Sequence, residues 1–70
     1  MEKETARKFI PLVNDPEFYR DLVLYANYRI EVLRKELETS ELTRVSEIQG
    51  QIKELRNIIG LRDNVLARAV

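Results

Sequence analysis

The stretch Phe18–Leu37, FYRDLVLYANYRIEVLRKEL, carries the longest helical apolar period in the chain. Tyr19, Val23, Ala26, Ile30, Leu33 and Leu37 recur at spacings of four, three, four, three and four, the heptad seam of a helix that packs on another helix. The residues just before it, Asn14-Asp15-Pro16-Glu17, form a helix start. Asp15 can accept the unpaired amides of the first turn, Pro16 suits the first helical position, and Glu17 and Asp21 place negative charge at the positive end of the helix dipole. Glu31 and Lys35 add an i,i+4 ion pair on the outer side.

That seam leaves apolar residues over. Phe18, Leu22, Leu24, Tyr25 and Tyr28 lie off it, so between Phe18 and Tyr28 the helix is apolar nearly all the way round. Such a helix is normally buried on every side, whereas one partner helix covers a single stripe. The remainder has to meet the preceding Phe9–Val13 segment, a second copy of the chain or another protein. Tyrosine combines apolar area with a polar tip and is enriched at interfaces, so Tyr19, Tyr25 and Tyr28 are read as interface residues before core residues.

After Leu37 comes polar Glu38-Thr39-Ser40-Glu41, in which Thr39 and Ser40 can both cap a new helix. The next seam is Val45, Ile48, Ile52, Leu55 and Ile59. No glycine or proline forbids one continuous helix from Pro16 to Ile59, yet Leu37 to Val45 is eight residues, out of phase with the heptad. An unbroken seam would bring Ser40 or Glu41 and then Arg44 into the core and leave Leu42 stranded. A turn near residue 41 avoids this and pairs Leu37 with Val45, Leu33 with Ile48, Ile30 with Ile52, Ala26 with Leu55 and Val23 with Ile59. These pairs of numbers sum to 82, 81, 82, 81 and 82, the arithmetic of an antiparallel hairpin.

The flanks read differently. Met1–Lys8 is mostly charged and is expected to be a flexible tail. Phe9, Ile10, Leu12 and Val13 surround Pro11, which biases Ile10 away from helix, so Phe9–Val13 is expected to be an extended arm that folds over the helices or docks on another chain. Gly50 falls mid-helix on the face away from the seam, either where another backbone crosses closely or as a tolerated imperfection costing about 1 kcal/mol relative to alanine. Ile58-Ile59-Gly60-Leu61 reads as a helix end with Gly60 in the left-handed conformation, and Arg62-Asp63-Asn64 can cap a short final turn, Val65–Val70. The expected organisation is a tail and arm at 1–15, a hairpin at 16–61 and a short C-terminal helix or tail at 62–70.

Composition narrows the chemistry. At 70 residues the chain holds one domain at most, and domains of this size bury only about 60% of their unfolded surface. They usually depend on disulfides, a metal, a partner subunit or very regular packing. There are no cysteines and no histidines, so zinc fingers, iron–sulfur clusters, thiol redox chemistry and Ser-His or Cys-His catalysis lack their side chains. Glu31 with Glu38, and Glu47 with Glu54, share helical faces, but a di-metal bundle site also needs Glu-x-x-His; these are read as solvated faces, and no cofactor is expected. The 12 Lys+Arg balance 12 Asp+Glu, so no net field draws the chain to nucleic acid or an anionic membrane. No run is long enough to span a bilayer, and MEKETARK lacks the apolar core of a signal peptide.

Gln49-Gly50-Gln51-Ile52 in the second helix, with Leu33-Arg34-Lys35-Glu36-Leu37 closing the first, resembles a pattern in small helical-hairpin accessory and morphogenesis proteins of tailed bacteriophages. The resemblance covers Phe18–Leu61 and does not extend to the Phe9–Val13 arm. It implies a virion or assembly accessory protein that is not an enzyme, located in the host cytoplasm or the virion.

The reading is therefore all-α: an antiparallel, coiled-coil-like hairpin of Pro16–Glu38 and Thr43–Ile59 with an extended arm before it and a short turn or helix after it. It is expected to assemble into a helical bundle, as a dimer or on a larger complex. The expected interface is Phe9, Ile10, Leu12, Phe18, Leu22, Leu24, Tyr25, Tyr28 and Gly50. The alternatives are a dimeric regulator that holds nucleic acid through Arg20, Arg29, Arg34 and Arg44, and an inhibitor of a host protein.

Overall fold

The structure, a computed structural model, describes residues 1–70. It is all-α, with four helices in chain order: α1 (Lys3–Val13), α2 (Pro16–Thr39), α3 (Leu42–Ile59) and α4 (Leu61–Arg68). None is long and apolar enough to cross a membrane.

α2 begins as its sequence dictates. The Asp15 carboxylate accepts the Phe18 amide at 3.1 Å, and Pro16 opens the helix. The seam residues Ile30 and Leu33 pack with Ile48 and Ile52 of α3, and Leu37, Leu55 and Ile59 surround them. Ala26 is fully buried on the same side of α2. At the far end of α3 the Tyr19 hydroxyl donates to the Ile59 carbonyl and accepts the Arg62 amide at 3.1 Å. One phenol thus holds the start of α2 to the junction of α3 and α4, and it serves a helix C-terminus and a helix N-terminus that would otherwise have an unpaired group each.

The flexible tail and extended arm expected over residues 1–15 are replaced by α1. Ala6, Ile10 and Val13, spaced four and three, make one apolar face; Ala6 and Val13 are buried and Ile10 is half-buried. α1 packs mainly on α4, where Val65 is also buried, and Arg7 Nε donates to the Ala69 carbonyl at 3.4 Å. Pro11 is accommodated because it lies in the last turn, two residues before the helix ends, so only one helical bond is lost there. Packing against α4 outweighs the local bias of Ile10 against helix.

Three joints also depart from expectation. The hydroxyls of Thr39 and Ser40 do not cap α3; both donate back to the Glu36 carbonyl and close α2, while α3 starts after Glu41 with no side-chain cap. Gly60 is not left-handed: its φ is −87° and ψ 7°, and α4 follows directly from Leu61 without an Asp63 or Asn64 cap. The turn does not rescue Leu42, which is 91% exposed.

The fold is thin and spread out. Its Cα extents are 43 × 25 × 13 Å, an elongated and flattened shape. The radius of gyration is 14.5 Å, against about 11 Å for a compact domain of this length. Eight of 70 residues are buried, and no polar residue is among them.

With so few buried side chains, each carries a large share of stability. Ile48→Ala should cost about 2–5 kcal/mol out of a total of roughly 4–10 kcal/mol, seen as a collapse of the urea midpoint. Tyr19→Phe keeps the ring and removes the polar joint; a loss of about 1–3 kcal/mol is expected, with amide exchange rising first in α4.

Candidate interaction surface

Phe18, Leu24, Tyr25 and Tyr28 are exposed by 46%, 69%, 58% and 65% of their full area, although each belongs to a residue type that folding usually covers. They stand on α2, away from the Ala26–Ile30–Leu33 side that faces α3. Phe18, Tyr25 and Val32 are separated by two steps of seven residues, with Tyr28 between the last two, so they form a second seam along the same helix. Val32 is half-buried within it, and half-buried Leu22 flanks it. Val32 was absent from the expected interface; the repeated step of seven from Phe18 was the signal that could have found it.

The remaining expected residues do not join this run. Phe9 and Leu12 are 37% and 39% exposed on α1, and Ile10 turns partly inward. Gly50 is on α3, and a Cβ added there would meet nothing within 4 Å, so no backbone of this chain crosses it. Tyr19 is separated from the other two tyrosines: half-buried, with its hydroxyl engaged on both sides, it is an internal joint.

The ionisable groups are dispersed. Glu31, Glu38, Glu47 and Glu54 are all exposed, and no three His, Cys, Asp or Glu side chains converge as a metal site would require. Arg34 is held by Glu31 at 2.9 Å and Arg20 lies 3.6 Å from its neighbour Asp21. Arg44 stands at the α2–α3 turn beside Glu36 and Glu41, in an open groove of about 420 Å³ with no apolar lining. Arg29 borders a separate groove with Leu33, Gln51, Glu54 and Leu55. The four arginines offered as a nucleic-acid surface are thus scattered among carboxylates over different sides of the molecule.

No family model, curated protein or solved structure matches the chain. The surface is therefore interpreted from its own geometry.

Open space at Gly50 yields a test of its place in the interface. Gly50→Ala should stabilise the chain by about 1 kcal/mol, raising Tm by about 4–8 °C for a domain of this size, with association unchanged. Loss of association in that variant would instead put a second backbone against this face.

Proposed function

We propose that this chain is a non-enzymatic interaction module that self-associates through the Phe18–Val32 seam of α2. In this reading the α2–α3 pair is a coiled-coil-like antiparallel hairpin and forms half of a helical bundle, a dimer in the simplest case. The observation that carries it is an apolar stripe, with Phe18, Tyr25 and Tyr28 exposed, on a molecule with more surface than a compact monomer. The accessible area is 5482 Å², whereas a compact monomer of 8.3 kDa has about 4,600 Å². The excess of roughly 900 Å² is close to the area of about 800 Å² that one partner contributes to a standard interface.

The open grooves and the dispersed carboxylates favour binding over catalysis. The assignment to a phage virion or assembly accessory protein is supported by the sequence resemblance of Leu33–Leu37 and Gln49–Ile52, and it is compatible with a small self-associating module.

Sedimentation equilibrium over micromolar to millimolar concentration tests the proposal, with wild type beside Tyr25→Glu. The wild type should fit a dimer or larger species with a concentration-dependent Tm, and a charge at Tyr25 should abolish both. A wild-type chain that stays monomeric and melts cooperatively at every concentration would rule the proposal out.

A further inference from the structure

We infer that the second copy lies antiparallel on α2 about a two-fold axis at Tyr25, with Asp21 of each chain facing Arg29 of the other. The inference rests on the reading that a second copy covers this seam, and adds its orientation and register.

A two-fold interface brings the same patch of both copies together, so each residue must suit its own image. In an antiparallel pair of helices centred on Tyr25, residues whose numbers sum to 50 come level. Phe18 then meets the partner's Val32, apolar on apolar, and Tyr25 meets the partner's Tyr25. Asp21 comes level with the partner's Arg29, four residues on either side of the axis, and the symmetry repeats that pair. Further out, Glu17 comes within about 3 Å along the axis of the partner's Lys35, both on the same edge of the seam. Glu36 comes within about 1.5 Å along the axis of the partner's Asp15, a like charge at the end of the overlap.

The seam side of α2 thus carries acidic Glu17 and Asp21 in its first half and basic Arg29 and Lys35 in its second, with Glu36 beyond them. A parallel pair would stack Asp21 on Asp21 and Arg29 on Arg29, and like charges held level across an interface oppose association. Within the chain neither group is well matched. Arg29, half-buried at the groove it shares with Leu33, Gln51, Glu54 and Leu55, has no carboxylate within 4.0 Å, and Asp21 has only adjacent Arg20 at 3.6 Å. Asp21 and Arg29 are eight residues apart, beyond the i,i+4 reach of a helix, so an ion pair between them has to form between copies.

The test uses the full chain with Asp21→Arg, Arg29→Asp and the double variant, each checked for wild-type helicity by circular dichroism. Each single substitution places two like-charge pairs in the dimer and should weaken association by about tenfold or more. The double variant restores opposite charges and should return to within about threefold of wild type by the same reasoning. Orientation is decided by mixing. Wild type and the double variant repel each other in the antiparallel arrangement, so native mass spectrometry should find them sorted into homodimers; in a parallel arrangement they attract, and abundant heterodimer would overturn the inference. A dimer indifferent to all three substitutions overturns the arrangement and leaves self-association standing. A wild-type monomer at every concentration overturns both.

Discussion

A helix that packs on a single neighbour buries one stripe and leaves the rest of its circumference to water. α2 is under that constraint for most of its 24 residues: Ala26, Ile30 and Leu33 are buried on the α3 side, while Phe18, Leu24, Tyr25 and Tyr28 are not. The other features follow from it. With α3 covering one side and α1 paired with α4, the helices spread into a slab instead of closing round a centre, and the core stays at eight residues. Chains of this length commonly complete their core with very regular packing or with a partner subunit.

The joints matter more than usual in such a structure. The Tyr19 hydroxyl ties the start of α2 to the end of α3 and the first turn of α4 in one place, and through α4 it fixes α1. Beyond that phenol the two helix pairs, α2 with α3 and α1 with α4, are joined by the short links at Asn14-Asp15 and Gly60 and by sparse contacts of α1 with α2 and of α3 with α4. Most of the backbone bonds elsewhere are internal to single helices, and local bonds do not set the angle between pairs. The position of the second seam relative to the rest of the molecule therefore depends on a polar contact as much as on apolar packing.

How far the sequence revealed this can be judged residue by residue. The start of α2 was legible because Asp15 and Pro16 act locally, and the seams were legible because their large aliphatic residues repeat at heptad spacing. α1 was missed because its buried anchor is Ala6, a single small residue within a charged run, and because Pro11 argued for extended chain; both are overridden by packing on α4, close to fifty residues further along the chain or more. The roles of Thr39, Ser40 and Gly60 were misread because each residue has two capping uses and the choice is made by tertiary geometry. Tyr19 was grouped with Tyr25 and Tyr28 by residue type, although its place on the first seam already set it apart. The exposed seam was visible as a surplus of apolar residues, and only the structure divided that surplus into Phe18, Leu24, Tyr25 and Tyr28, which face water, and Leu22, which is partly covered.

The central claim is that the Phe18–Val32 seam is covered by another copy of itself. Its most direct test is an isotope-filtered NOE experiment on an equal mixture of chains labelled with ¹³C at the valine methyls and unlabelled chains, at millimolar concentration. The account predicts cross-peaks from the Val32 methyls of one copy to the Phe18 ring of the other. Absence of any inter-chain contact from Val32 at that concentration would contradict it.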